Sequence, residues 1–139
     1  MPESEQWLEL LEEKGCRITE PRRTIVDLMV HSDNALSPID LFDKARASFP
    51  KMGLVTVYRT LEILNQLGLV ERVHQKGGCH MYLRAANGHE HIMLCTRCGQ
   101  ATYFHGDDLG ALIHKINSES GFLIQEHWLQ LHGLCKNCQ

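Results

Sequence analysis

Two cysteine pairs constrain this chain more than any other feature. Cys95 and Cys98 form the first pair, Cys135 and Cys138 form the second, and both have the spacing C-x-x-C. Such a turn directs two sulfur atoms at one point, and four thiolates suit a tetrahedral zinc ion. We therefore predict a structural zinc ion that holds the second pair against the first. The alternatives are two unrelated reduced thiol pairs or one redox pair.

The composition favours a compartment in which thiols stay reduced. The 139 residues contain no apolar run near the roughly 20 residues that a membrane span needs, and the start, Met-Pro-Glu-Ser-Glu, is unlike an export signal. We expect a cytoplasmic protein with no membrane partner, whose cysteines are metal ligands or free thiols. The formal net charge of −3 argues only weakly against nucleic-acid binding, because binding depends on where the charges lie.

The first part of the chain has the pattern of several helices followed by a hairpin. Thr19 is a good N-cap, and residues 37–40 (Ser-Pro-Ile-Asp) have the pattern of a capping box. A later helix has an apolar face formed by Leu54, Val57, Leu61 and Leu64. Strand-like segments at 69–74 and 79–83 flank a glycine-containing turn. This order predicts a winged helix-turn-helix domain over residues 1–84.

A second, small α/β domain is predicted over residues 85–139, which makes the fold class α+β. The linker-like sequence Arg-Ala-Ala-Asn-Gly at 84–88 precedes it. Strands are expected around the first cysteine pair, at 92–94 and 101–104, and a long strand at 122–131. Between them, a helix is indicated by Leu109, Leu112, Ile113 and Ile116.

The helix that contains Val57 also has a polar face near its start. Thr56, Tyr58 and Arg59 lie off the apolar face. A recognition helix contacts base edges through its N-terminal residues, where arginine binds guanine or phosphate and tyrosine meets a thymine methyl group. We predict that these three residues contact double-stranded DNA, with Thr56 donating to a phosphate. The alternative is a solvated helix face.

A second, regulatory metal site is predicted near the linker. His89 and His91 stand just before the first cysteine pair, and Glu71, Cys79 and His80 lie in the predicted wing. A metal bound by both domains would fix the angle between them, as a sensor requires. A thiolate with imidazoles and one carboxylate suits zinc, whereas a set of nitrogen and oxygen ligands alone would also admit iron or manganese. The alternatives are solvated histidines and a reduced Cys79 packed in the wing.

His127 has two interpretations. It alternates with Leu129 and Leu131 in a strand-like run, which is typical of a core histidine, and it is also a possible further metal ligand.

Several of these segments resemble the ferric uptake regulator (Fur) superfamily across nearly the whole chain. They are Thr-Glu-Pro-Arg at 19–22, Gly-Leu-Val-Thr-Val-Tyr-Arg-Thr-Leu at 53–61, the histidine cluster, the first cysteine pair with Gly99, and Gly-Leu-Cys-Lys-Asn-Cys at 133–138. The resemblance implies a homodimeric bacterial repressor with a winged-helix domain and a dimerisation domain. Such a repressor binds AT-rich palindromic operators when its sensory metal is present.

The resemblance also implies roles for single residues. Arg17 would reach the minor groove, while Tyr58 and Arg59 would contact the major groove. The four paired cysteines would bind the structural zinc ion. Glu71, His89 and His91 would belong to the sensory site.

Departures from the family pattern bear on which metal is sensed. Iron- and peroxide-sensing members carry a histidine where this chain has Asn34-Ala35, and acids where it has Leu83 and Tyr103. The loss of these ligands favours zinc over iron or manganese. In place of the missing acid, Cys79 or His80 would supply the wing ligand.

A difference in spacing leaves other roles open. The interval from His91 to Cys95 is one residue longer than the common pattern, and a shift of one residue reverses which face of a strand each side chain occupies. The division of roles among His89, Glu90 and His91 is therefore undecided, and Glu90 is a possible further ligand.

The expected function is zinc-responsive repression of metal-uptake genes, with double-stranded operator DNA and a second copy of the chain as partners. The alternative within the family is an iron- or peroxide-responsive regulator. An enzyme is disfavoured, because no H-E-x-x-H or comparable frame is present and a four-cysteine site is closed to substrate. A protein-interaction module would have no use for the polar helix face at Thr56, Tyr58 and Arg59.

Overall fold

The computed structural model describes residues 1–74, 80–86, 90–105, 109–127 and 129–139. These residues divide into a first unit, Met1–Ala85, and a second unit, Ala86–Gln139. Each unit combines helices with a small sheet, so the predicted α+β class is confirmed. None of the helices in the described ranges has the length and apolar content to cross a lipid bilayer.

Four helices of the first unit begin and end near the positions that the sequence predicts. Two of them have the expected caps: the Thr19 hydroxyl accepts from the Arg22 amide at 3.4 Å, and the Ser37 hydroxyl accepts from the Asp40 amide at 3.0 Å. The Asp40 carboxylate accepts in return from the Ser37 amide, which completes a capping box. The helices are α1 (Glu3–Glu13), α2 (Glu20–Val30), α3 (Pro38–Ser48) and α4 (Leu54–Gln66).

The strands β1 (Val70–His74) and β2 (His80–Arg84) form the antiparallel hairpin of the wing. Leu36 adds a short bridge to its edge, exchanging two 2.8 Å backbone hydrogen bonds with Tyr82. The sequence did not predict this bridge. The predicted turn between the strands lies outside the described residues.

A continuous apolar core joins the four helices to the wing. It includes fully buried residues from α1, α2, α3 and α4, namely Leu11, Ile25, Val26, Met29, Leu41, Ala45, Val57, Leu61 and Leu64. The prediction for Leu54 was wrong, because this side chain is 36% exposed at the first residue of α4. The buried stretch of that helix begins at Val57.

The second unit is built on a three-stranded sheet in the order β4-β3-β5. Strands β3 and β4 are antiparallel, whereas β3 and β5 are parallel. One helix, α5, lies between β4 and β5 in the chain. The elements are β3 (Glu90–Cys95), β4 (Ala101–His105), α5 (Leu109–Ser120), β5 (Gln130–Gly133) and a final 3-10 turn (Lys136–Cys138).

The long strand predicted at 122–131 was wrong. Residues 121–127 have no regular structure, and Phe122 and Leu123 are 73% and 80% exposed. A strand needs a neighbour for its backbone groups, and β3 pairs with this part of the chain only from Gln130 onwards.

The capping box gives a first prediction. Replacing Ser37 with alanine removes an acceptor for a free N–H at the start of α3, so the free energy of unfolding of the first unit should fall by about 1 kcal/mol. Urea unfolding followed by circular dichroism measures this change. Ser48→Ala, at the exposed last residue of α3, is the control and should change stability by less than about 0.5 kcal/mol. Equal effects of both changes would contradict the role of the cap.

Candidate functional site

The first cysteine pair is held in a tight turn at the end of β3. Cys95 is the last residue of that strand, and its amide donates to the Gln100 carbonyl at 2.9 Å. The Gly99 amide donates to the Cys95 carbonyl at 3.0 Å. Gly99 has a φ of +79°, which a residue with a side chain rarely adopts. The strand and this turn therefore fix where both sulfur atoms lie.

Parallel pairing brings the second cysteine pair to the same place. Cys95 lies opposite Gly133 in the register of β3 and β5, and Cys135 follows two residues later. The sulfur atoms of all four paired cysteines lie within 4.8 Å of one another, and those of Cys98 and Cys135 are 3.8 Å apart. A tetrahedral zinc ion with Zn–S bonds of about 2.3 Å needs sulfur atoms about 3.8 Å apart, so the four thiols fit zinc.

The surroundings of three of these thiols shift their pKa values in different directions. Hydrogen bonds from the backbone amides of Cys98 and Cys135 to the Cys95 sulfur lower the pKa of Cys95 to about 5. The Gln100 amide lowers the pKa of Cys98, but the Cys95 side chain and burial outweigh it, so the net shift is upwards. The hydrogen bond with Cys135 raises the pKa of Cys138 to about 12. Without metal, Cys95 is therefore the sulfur that ionises first among these three.

Two residues inside the first pair connect it to the second. The Thr96 amide and hydroxyl donate to the Gly133 carbonyl at 2.8 and 3.3 Å. The Arg97 guanidinium donates to the Cys138 carbonyl at 2.7 Å. The sequence predicted neither contact. The only feature of the sequence that points to these contacts is that Thr96 and Arg97 lie between two predicted ligands.

Helix α4 buries one face and exposes the other, as predicted. Val57 and Leu61 are fully buried, whereas Tyr58 is 49% exposed, Arg59 is exposed and Thr56 is half-buried. The described first turn of α4 contains no acidic residue. The positive end of the helix dipole therefore has no carboxylate within its own first turn, which suits an approaching phosphate.

Arg17 is exposed in the loop between α1 and α2. Its carbonyl accepts from the Arg22 guanidinium at 2.8 Å, which holds the loop against the start of α2. The Arg17 side chain is therefore presented from a fixed backbone.

The predicted wing ligands differ in their surroundings. Glu71 is half-buried on β1, opposite Leu83, and burial raises the pKa of its carboxyl group. His80 is exposed at the first residue of β2. Cys79 lies outside the described residues.

The structure brings together two candidate histidines of the second unit. His91 is 7% exposed, and its ring centroid lies 5.4 Å from that of His127. His127 itself is exposed and belongs to no strand, so its interpretation as a core histidine was wrong. Glu90 is partly exposed on the same strand as His91, with a carboxylate oxygen 4.0 Å from His105 Nε2. His89 lies outside the described residues.

A winged helix-turn-helix unit followed by a four-thiolate unit defines a class of metal-dependent DNA-binding regulators. Comparison with known proteins agrees. A sequence profile of the Ferric uptake regulator family matches residues 13–132, and the chain belongs to this family. It is therefore a metal-responsive transcriptional regulator and not an enzyme.

Three similar proteins indicate the range of the family. The ferric uptake regulation protein of Neisseria meningitidis is 35% identical over 131 residues, which cover 93% of this chain and 90% of that protein. The peroxide operon regulator of Bacillus subtilis is 29% identical over 98% of this chain and 93% of that protein. The solved structure of a zinc uptake regulator complexed with zinc and DNA has a TM-score of 0.70 and 26% identity, covering 97% of this chain and 91% of that chain. These likenesses leave the sensed metal open.

The acidities of the thiols give a prediction for the metal-free, reduced protein. Thiolate absorbance near 240 nm should show a step at about pH 5, because two amides donate to the Cys95 sulfur and favour its ionised form. The step should vanish in Cys95→Ser and persist in Cys138→Ser, since the raised pKa of Cys138 keeps that thiol protonated at neutral pH. A step that survives in Cys95→Ser would contradict this assignment.

Proposed function

We propose that this chain is a zinc-responsive transcriptional repressor of metal-uptake genes, with a structural zinc ion bound by Cys95, Cys98, Cys135 and Cys138. The resemblance to the family implies ligands of iron- and peroxide-sensing members at Asn34-Ala35, Leu83 and Tyr103. The observation that carries the choice of zinc is that two of these side chains are apolar and buried. Leu83 is 1% exposed and Ala35 is 3% exposed. Neither side chain has an atom that can bind a metal, and both are packed in the first unit.

DNA binding is proposed for Thr56, Tyr58 and Arg59 on α4 and for Arg17. The exposed tyrosine and arginine stand on a helix whose opposite face is fixed in the core, so little order has to be gained on binding. Arginine makes bidentate contacts to guanine, and a helix N-terminus attracts phosphate. These features support insertion of α4 into the major groove.

The regulatory metal site is proposed to draw on the sequence-predicted ligands. These are Glu71, Cys79, His80, His89 and His91, with Glu90 and His127 as possible further ligands. Two observations support a part of this set. Burial raises the pKa of Glu71, and a cation beside that carboxylate would offset the cost of its charge. The rings of His91 and His127 are neighbours, as two ligands of one ion would be.

We also propose that the protein is a homodimer formed by the second unit. That unit buries few side chains in its described part, and α5 buries none. A unit this small needs additional burial to be stable. Large apolar side chains are left exposed on it, namely Met93, Leu112, Ile116, Phe122, Leu123, Leu131 and Leu134. A second copy would cover such a surface.

The DNA-binding face can be tested on a duplex selected from a random pool by the zinc-loaded protein. Arg59→Ala should weaken binding about tenfold or more, because a lost base or phosphate contact costs about 1–3 kcal/mol. Fluorescence anisotropy at fixed salt measures the affinity. Gln66→Ala, at the exposed last residue of α4, is the matched control and should bind as the unchanged protein does. Unchanged binding by Arg59→Ala would refute the proposed role of this face.

The sensed metal can be tested with the same duplex at buffered free metal concentrations. Zn²⁺ should raise the affinity at least tenfold, whereas Mn²⁺ and anaerobic Fe²⁺ should not. The gain should be lost when Cys79→Ser is combined with His89→Ala and His91→Ala, because the regulatory ligands are gone. His114→Ala, on the exposed side of α5, is the control.

Two outcomes of this experiment count against the proposal. A gain that survives the triple change would exclude the assigned ligands. A gain with Fe²⁺ or Mn²⁺ alone would favour the iron- or peroxide-responsive alternative.

A further inference from the structure

The two ends of the second cysteine pair are held in different ways. On the side before Cys135, the β3–β5 pairing reaches Gly133, and both donors of Thr96 bind the Gly133 carbonyl. The Cys135 amide also donates to the Cys95 sulfur at 3.4 Å. Cys135 is therefore held by the sheet and its extension.

The side after Cys135 has mainly local contacts. Residues 136–138 form one 3-10 turn, in which the Cys138 amide donates to the Cys135 carbonyl at 3.0 Å. The Gln139 side chain donates to the nearby Leu134 carbonyl at 3.3 Å. The Cys138 sulfur lies near those of Cys95 and Cys98. The backbone of this turn has a long-range contact with Arg97, whose guanidinium donates to the Cys138 carbonyl at 2.7 Å across 41 positions of the chain.

We propose that Arg97 is a positioning residue that keeps Cys138 beside the first cysteine pair and so slows the loss of the structural zinc ion. This inference rests on the four-cysteine zinc site of the proposed function. A chelated ion leaves by releasing its ligands one at a time, and a released ligand rebinds faster when the backbone that carries it is held nearby. The permanently charged guanidinium also suits a centre in which four thiolates outweigh the charge of one zinc ion.

The test is the rate at which the full-length, zinc-loaded protein transfers zinc to an excess of the chromogenic chelator 4-(2-pyridylazo)resorcinol. Arg97→Ala should release the tightly held zinc about five- to tenfold faster, as expected for the loss of one solvent-exposed hydrogen bond. Arg97→Lys keeps the charge and a donor, so it should restore part of the retention. Lys136→Ala removes a charge from the same turn and should stay within about twofold of the unchanged protein.

A second measurement separates positioning from general destabilisation. Brief alkylation of the zinc-loaded protein, followed by mass spectrometry, should label Cys138 ahead of Cys98 in Arg97→Ala. A uniform increase in labelling of all four cysteines would overturn the proposal. If Arg97→Ala does not fold, Arg97→Gln takes its place with the same expectations.

The remaining outcomes are also decisive. Release from Arg97→Ala at the unchanged rate would overturn the inference, and an equal acceleration in Lys136→Ala would assign the effect to charge alone and overturn it too.

Elemental analysis distinguishes failure of the role of Arg97 from failure of the proposed function. If the unchanged protein and Cys135→Ser contain the same amount of zinc, the structural site itself is wrong. If that zinc is present and Arg97 does not affect its release, only the role of Arg97 fails.

Discussion

The parallel pairing of β3 with β5 is the interaction on which the second unit depends. It runs from Ile92 opposite Gln130 to Cys95 opposite Gly133, and it ends where both cysteine pairs begin. Without it, Cys98 and Cys135, which are 37 positions apart in the chain, would lack the pairing that brings them together. The buried apolar side chains Ile92 and Leu94 provide only a small core in the described part of this unit. A metal cross-link and a second copy of the chain are two physical ways to stabilise so small a unit.

The first unit differs from the second, because its apolar core is large and continuous. Helix α4 contributes Val57, Leu61 and Leu64 to that core and keeps Tyr58 and Arg59 in solvent. One helix therefore packs in the core on one side and presents the proposed DNA-binding residues on the other. The wing is attached to the same core through Val70 and Tyr82, and Leu36 bonds to its edge. Leu83 of β2 is also buried in this unit, and its side chain has no atom that can bind a metal.

Much of this architecture could be predicted because its signals are local. Thr19 and the Ser37–Asp40 capping box set the starts of two helices, and the C-x-x-C spacing indicates a thiolate centre before any fold is known. Predictions failed where the structure of a segment depends on a partner strand or on a neighbouring side chain. The apolar run at 122–131 looks like a strand, but only its last part finds β3. Its alternation suggested a buried His127, which is instead exposed beside His91.

The sequence by itself determined the helix boundaries, the exposed face of α4 and the identity of the four paired cysteines, because caps, periodicity and side-chain chemistry act over a few residues. The tertiary structure alone decided that the pKa of Cys95 is lowered, since the amides that donate to its sulfur come from both cysteine pairs. It also decided that Arg97 contacts Cys138 and that His91 meets His127. Such contacts join residues far apart in sequence, and their existence depends on strand register, which no local pattern specifies.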